Sequence, residues 1–321
     1  MLRVFRSLAE IGPDARPSAV AVGNFDGVHS GHRLLFRRVA AVSREQGWHP
    51  SVLTFDPHPA RVVAPERAPR LLSTLEERCT FMEQQGIEQV FVAQFDPGFA
   101  ALSPEEFARK VLLEGAGARG VFVGENFRFG VRQSGDVALL EQLGDELGFH
   151  VEVVPSVHVR GRMASSSEVR NLLQQGYVSL ACRLMERPYS ITGSIVSGHG
   201  IGSKQTVPTL NLDTAAEVIP ADGVYITRTQ DLDGNRIWPS ITNIGMRPTF
   251  QGQARTIETF LLSGLDGNSP NRIRLEFLKR LRGERTFDSP EALKTQILRD
   301  VKQAQNYFRR LSVLRSANAP V

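Results

Sequence analysis

Along the first half of the chain, short β-branched and apolar runs alternate with segments whose apolar positions recur every three or four residues. The runs Ser18–Gly23, Ser51–Phe55, Gln89–Gln94, Gly120–Gly124 and Val151–Val154 read as strands. Between them Leu34–Gln46, Leu75–Gln85, Pro104–Leu113 and Val137–Leu147 read as amphipathic helices, the first through Leu35, Val39 and Val42. Strands alternating with helices predict a parallel sheet covered on both faces. Such sheets bind ligands beyond the C-terminal ends of their strands, so segments directly after strands carry the most chemical interest.

Near Tyr189 the rhythm changes. The strand candidates Tyr189–Val196, Val224–Thr229, Arg236–Thr242, Ile257–Leu262 and Ile273–Leu278 follow one another directly, separated by turn clusters such as Asp231-Leu232-Asp233-Gly234-Asn235 and Gly264-Leu265-Asp266-Gly267-Asn268. That pattern predicts an antiparallel β-barrel of Greek-key type. A closing helix runs from Pro290 to about Phe308, with Ser289 as N-cap and proline at its first position. The last ten or so residues read as a frayed, disordered tail. The boundary is expected at Glu186–Arg187, giving an α/β domain over 1–186 and a barrel domain over 187–321.

Composition fits this division. A chain of 321 residues suits two domains, and 41% hydrophobic with 22% charged residues describes a globular protein. No apolar stretch approaches the roughly 18 residues of a membrane span. Met1 to Arg6 soon meet Glu10 and Asp14, without the apolar core of a signal peptide, so a cytoplasmic location is expected. Cys79 and Cys182 are too few and too far apart for a disulfide framework or a cysteine metal site. A net charge of +4 is small for this length, and phosphorylated small molecules explain it as well as a nucleic acid does. Small-molecule partners, no nucleic acid and no membrane are therefore expected, with self-association left open.

The densest chemistry lies in Gly23-Asn24-Phe25-Asp26-Gly27-Val28-His29-Ser30-Gly31-His32, between the first strand and a helix. Backbone N–H groups and the helix dipole favour anions there, and the glycines permit tight turns and close approach of a ligand. Two histidines three apart can donate to phosphate oxygens as charge moves onto a leaving group. Alone, the pair also fits solvated histidines or a helix cap.

In its strand–turn–helix setting this segment resembles the HxGH nucleotidyltransferases, and most closely the bacterial bifunctional riboflavin kinase/FAD synthetase family. The resemblance implies a Rossmann-like domain in which His29 and His32 engage ATP phosphates during in-line attack on the α-phosphorus. It also implies nucleotide contacts at Gly23, Phe25, Asp26 and Gly31. Thr54-Phe55-Asp56-Pro57-His58-Pro59 is by itself a proline-rich turn; the family has a near-identical segment on the flavin side, which implies flavin contacts at Phe55, Asp56, Pro57 and His58. Gly124-Glu125-Asn126-Phe127-Arg128-Phe129-Gly130 follows another strand, where Asn126 can bond phosphate and the aromatics can line a pocket. Ser165-Ser166-Ser167-Glu168-Val169-Arg170 opens a helix, as a plain N-cap or as donors to phosphate. It matches the family's Ser-Ser-Thr-x-x-Arg and implies nucleotide contacts at Ser166, Ser167 and Arg170. The basic residue usual before that motif is replaced by Met163, with Arg162 beside it.

In the second domain, the glycine loop from Gly193 to Gly202 leads to Pro208-Thr209-Leu210-Asn211-Leu212. Thr209 and Asn211 alternate onto one face, and their neutral oxygens suit Mg²⁺. Glycines alone are a weak signal, but a glycine loop before Pro-Thr-x-Asn resembles riboflavin kinase. The resemblance implies nucleotide contacts at Gly198, Gly200 and Lys204, Mg-ATP held at Thr209 and Asn211, and Glu258 as the base for riboflavin's 5′-hydroxyl. The segment Asn243-Ile244-Gly245-Met246-Arg247-Pro248-Thr249-Phe250 matches the family as well. Departures are Ser203-Lys204-Gln205-Thr206-Val207, where the family has an arginine and a glycine–aromatic pair, and Phe260 at a commonly polar position.

Mg²⁺ with ATP, riboflavin and FMN is thus the expected set, and the implied activity is riboflavin to FMN and FMN to FAD. Two readings compete: a flavin-binding carrier or regulator impaired in catalysis, and an adenylyltransferase for another phosphorylated substrate.

Overall fold

A computed structural model describes residues 1–196, 209–234, 236–249, 252–263, 265 and 269–317. The chain divides into two compact units, Met1–Ser166 and Ser167–Val321.

The first unit is built on six strands: β1 (Arg3–Phe5), β2 (Ser18–Val22), β3 (His49–Asp56), β4 (Gln89–Gln94), β5 (Ala118–Gly124) and β6 (His150–Val154). They lie parallel in the order β1-β4-β3-β2-β5-β6, and a separate antiparallel pair follows, β7 (His158–Val159) and β8 (Arg162–Met163). Its helices are α1 (Ser30–Gln46), α2 (Pro59–Val63), α3 (Leu75–Glu83), α4 (Pro97–Ala100), α5 (Pro104–Glu106) and α6 (Val137–Leu147). Strand β2 is buried along its whole length, as a central parallel strand must be. Its Ala19 and Ala21 join Leu35, Phe36 and Val39 of α1 and Met82 of α3 in one core. Val20 and Val22 point the other way, joining Leu140 and Leu143 of α6.

Helix α1 stops where Gly47 turns left-handed at φ 70° and sends its N–H to the Ser43 carbonyl, a cap that glycine adopts without strain. The helix expected over Pro104–Leu113 is instead one α-turn, α5, capped reciprocally by Ser103 and Glu106, which widens into a π-helical stretch over Phe107–Gly115. The strand order reverses between β2 and β5. This places the turns after those two strands at the switch point where open α/β sheets bind ligands.

The second unit takes up α7 (Ser166–Gln174) from its second residue and continues with α8 (Val178–Met185), β9 (Tyr189–Val196), β10 (Thr209–Asp213), β11 (Gly223–Asp231), β12 (Ile237–Thr249), β13 (Gly252–Leu261), β14 (Arg272–Arg282) and α9 (Pro290–Ala317). The strands close an antiparallel barrel in the order β10-β13-β12-β11-β14-β9. Within it, β14-β11-β12-β13 is the 4-1-2-3 order of a Greek key. The compact division lies ahead of Glu186 because α7 and α8 are fastened to the barrel. Arg280 donates to the carbonyls of Gln175 and Asp222, Ser179 to that of Leu278, and the Ala221 N–H to the Leu173 carbonyl.

Alternation along β11 sorts the barrel's two faces. Val224 and Ile226, with Ile241, lie under Val301, Ala304, Tyr307 and Phe308 of α9. Tyr225, Thr227 and Thr229 face the other way, where buried hydroxyls link in the series Thr229–Ser240–Thr227–Thr242–Thr259 at 2.8–2.9 Å. Every hydroxyl in that series has a partner, which makes a polar barrel interior tolerable. The closing helix was expected to end near Phe308, before a frayed tail; it continues to Ala317.

Leu53, fully buried in β3, is a direct test of this packing. Leu53→Ala is expected to lower stability by about 2–5 kcal/mol, measured by urea unfolding followed by circular dichroism.

Candidate functional site

The turn joining β2 to α1 has an unusual backbone. Phe25, Gly27 and Val28 all take positive φ, at 51°, 73° and 39°. Such angles cost a non-glycine residue free energy, most of all a β-branched one such as Val28. The turn is held from a distance. The Asp26 carboxylate, 2% exposed, accepts from the N–H groups of Leu72 and Ser73 at 2.9–3.1 Å and from the Ser73 hydroxyl at 3.2 Å. Ser73 Oγ in turn accepts from the Gly27 N–H at 2.9 Å. Asp26, named as a nucleotide contact, thus spends its carboxylate on the shape of the turn.

His29 sits at the N-cap of α1 in extended conformation, and its side chain makes no cap bond. Its ring stacks on His32 with centroids 3.6 Å apart and planes at 27°. Phe25 supports His32 edge-on at 5.1 Å and touches Phe36 behind it. Gly31 makes this possible, since a Cβ there would lie 3.1 Å from His29 Cε1. Gly23 is equally constrained by the Phe25 ring, 3.0 Å from where its Cβ would stand. The predicted Gly23, Phe25, His29, Gly31 and His32 therefore form one contiguous unit.

Neighbouring strand ends supply the rest. At the end of β3, Phe55 is buried and Asp56 exposed, ahead of Pro57. His58 caps α2, its Nδ1 accepting from the Ala60 N–H at 3.2 Å. Six phenylalanines run on from there. Phe55 meets Phe95 and Phe99 at 5.8 Å, Phe99 meets Phe107 at 6.1 Å, and Phe107 meets Phe129, which stacks on Phe127. Phe95, Phe99 and Phe127 are only partly buried, leaving ring surface for a ligand. After β5, Asn126 is exposed, while Arg128 pairs with Asp136 at 3.2 Å. Ser166 donates its hydroxyl to the Asp26 carbonyl at 2.8 Å, so it reaches the histidine turn. Ser167 and Arg170 follow on α7, in the second unit.

In the barrel, strand pairing brings several of the predicted residues side by side. Asn211 of β10 lies directly opposite Glu258 of β13, and Glu258 opposite Asn243 of β12. Directly opposed residues share a face with Cβ atoms about 4.5–5.5 Å apart, so these three form a polar row across three strands. Thr209, exposed, lies on the same face two residues from Asn211. The predicted Gly198, Gly200 and Lys204 lie outside the described residues, as do His199 and the segment from Ser203 to Val207.

Some features were not foreseen from sequence. Leu72 and Ser73, the partners of Asp26, carry no motif. Neither does Arg78 of α3, 4% exposed, whose Nη1 donates to the Asn24 carbonyl at 2.7 Å and to Thr54 Oγ1 at 3.3 Å. Burial lowers the pKa of this guanidinium, against the opposing pull of Asp26 and Asp56. In the second unit, a shallow cleft is lined by Arg285, Phe287, Gln296 and Arg299. Arg282 and Arg285 both lie over the Phe287 ring, at 5.6 and 5.0 Å from its centroid.

These two constellations coincide with two known domain families. A family model described as FAD synthetase matches residues 12–168, and one described as riboflavin kinase matches residues 185–308. The chain is 34% identical over 305 residues to a bifunctional riboflavin kinase/FMN adenylyltransferase of Pseudomonas fluorescens, covering 95% of this chain and 97% of that one. It is 33% identical over 289 residues to the protein of the same name from Escherichia coli strain K12, with 90% and 92% covered. A solved structure from Streptococcus pneumoniae, described as a macrolide-efflux protein, matches with a TM-score of 0.83 over 94% of this chain and 98% of that one, at 25% identity. Among the described residues of this chain, no helix is long and apolar enough to cross a membrane.

The position of the His29 ring is tuned by the missing Cβ of residue 31. Gly31→Ala is expected to displace the His29 ring by a few tenths of an ångström against His32, seen by NMR as altered ring-proton shifts of both histidines in a protein that remains folded.

Proposed function

The chain belongs to the bifunctional riboflavin kinase/FMN adenylyltransferase family, and from that premise we propose how named residues of its two units divide the work. The enzyme phosphorylates riboflavin to FMN and transfers the adenylyl group of ATP to FMN, giving FAD and pyrophosphate. We place the boundary between the two activities near Glu186–Arg187, close to residue 185 where the riboflavin kinase match begins.

For adenylyl transfer, a phosphate oxygen of FMN attacks the α-phosphorus of ATP while the bond to the bridging oxygen of pyrophosphate breaks. The turn after β2 provides backbone donors and two imidazoles where that charge develops. The stacked pair of His29 and His32 at the switch point of the sheet carries this reading. Their N–H groups stabilise the phosphate oxygens, a form of catalysis that works best with donors fixed in advance. Ser166, bonded to the turn, and Asn126, exposed after β5, complete the nucleotide side. Phe55, Asp56, Pro57 and His58 form the flavin side, together with the exposed ring surface of Phe95, Phe99 and Phe127.

For phosphorylation, the ribityl 5′-hydroxyl attacks the γ-phosphorus of ATP and ADP leaves. Glu258 accepts the hydroxyl proton as the base. Thr209 and Asn211 suit Mg²⁺, since their oxygens are neutral, Thr209 is exposed, and the Glu258 carboxylate lies across from Asn211. When bound, the ion neutralises ATP phosphates. Gly198, Gly200 and Lys204 belong to the same nucleotide side by resemblance. The cytoplasm is the proposed location, with riboflavin, FMN and ATP as the partners.

His32→Ala is expected to slow FAD formation from FMN by about 10²–10³ and leave FMN formation intact. Glu258→Ala is expected to slow FMN formation by about 10²–10⁴ and spare FAD formation from supplied FMN. Both are read by chromatography of flavin products; loss of both activities in either folded variant contradicts the division. Chelation of Mg²⁺ with EDTA is expected to abolish FMN formation, restored by added Mg²⁺.

A further inference from the structure

Arg78 has no part in the scheme above, yet its surroundings are hard to explain as packing alone. It is 4% exposed, and its Nε has no hydrogen-bond partner. Among the described residues no carboxylate lies within ion-pair distance. The guanidinium is held by one carbonyl, of Asn24, and one hydroxyl, of Thr54. Removing a cation from water costs several kcal/mol, and an apolar side chain of similar size commonly stabilises such a site better. Asp26 and Asp56 act on this charge only from beyond contact distance, and a buried guanidinium with no anion in direct contact fits a site that receives one from outside.

The anchoring points say where that anion belongs. Asn24 begins the turn whose next residues, at 25, 27 and 28, take positive φ and lead into His29. Thr54 lies near the end of β3, and its hydroxyl also donates to the Asn24 carbonyl at 3.3 Å. Arg78 therefore joins the C-terminal ends of β2 and β3 beneath the histidine turn. The acids that act on it are Asp26, hydrogen-bonded to Leu72 and Ser73, Asp56 at the rim, and Glu76 of the same helix. Both reactants of adenylyl transfer bring phosphates to this part of the sheet, and a fixed charge in a poorly solvated region acts more strongly on them than one in water.

We propose that Arg78 is a positioning residue for adenylyl transfer: it fixes the Asn24 carbonyl and Thr54 hydroxyl under the histidine turn and places a buried positive charge beneath the reacting phosphates. This inference rests on the reading that the turn carrying His29 and His32 is the adenylyl-transfer site. It assigns the residue to the transition state rather than to ground-state affinity, because Arg78 lies behind the turn.

Two polar variants of the full chain separate charge from packing. Arg78→Lys keeps the charge and a donor for Asn24; Arg78→Gln keeps a donor and loses the charge. Steady-state kinetics with FMN, ATP and Mg²⁺ are expected to show kcat for FAD formation about tenfold lower or more in Arg78→Gln, with KM for ATP within about threefold. Arg78→Lys is expected within about threefold of the parent kcat. Riboflavin phosphorylation in the same preparations reports on intact barrel protein, and circular dichroism on the folded state of both variants. Equal kcat values for the two variants, whether both normal or both slow, overturn the proposal. His32→Ala run alongside separates the two levels: if it retains full FAD formation, the assignment of the site fails. If it is inactive while Arg78→Gln is normal, only the role of Arg78 fails.

Discussion

The buried carboxylate of Asp26 determines whether the first site has a shape at all. Phe25 and Val28 occupy left-handed backbone regions that cost on the order of 1–3 kcal/mol each, and within the turn the Val28 N–H donates to the Phe25 carbonyl at 3.2 Å. Asp26 offsets that cost by tying the turn to Leu72 and Ser73 outside it. Two backbone N–H groups and one hydroxyl converge on the carboxylate, and hydrogen bonds to a charged group contribute about 1.5–3 kcal/mol each. The same serine that donates to Asp26 accepts from Gly27, so the bolt closes on the turn from both sides. With the turn fixed, Phe25 can stand behind His32, His29 can fold over Gly31, and the two imidazoles meet face to face.

The two units solve the same problem by different geometries. Both act on ATP, and both must hold polar groups in place before it arrives. The parallel sheet does this at a discontinuity of topology, where turns after adjacent strands open away from each other. The barrel does it by strand register, setting Asn211, Glu258 and Asn243 side by side across three strands. In the sheet the placement depends on long-range hydrogen bonds to loops. In the barrel it depends on the backbone ladder itself, with a buried hydroxyl series behind it.

What sequence reading captured followed from local pattern. Strand Gln89–Gln94 and helix Val137–Leu147 have the expected limits because their periodicity is clean and their ends carry turn residues. The histidine turn was legible because its chemistry is contiguous. Asp26 shows the limit: its identity was noticed, but its partners lie 46 and 47 residues away on a segment without any motif. Arg78 was invisible for a similar reason, since an arginine in Leu75-Glu76-Glu77-Arg78 looks like one more charge on a solvated helix face. The phenylalanine row was scattered over several segments, and only the fold brings Phe55 to Phe99 and Phe107 to Phe129. Strand β1 is three residues long, too short for alternation to register. Helix α8 hides behind Gly176 and Tyr177, and its apolar face becomes meaningful only against the barrel.

One chain performs two successive chemistries, joined by a common intermediate. The most direct test is a time course of the purified protein with riboflavin, ATP and Mg²⁺, with FMN and FAD separated by chromatography. FMN rising first and FAD following at its expense is the predicted result. FAD formed only from supplied FMN, or no flavin product at all, would contradict it.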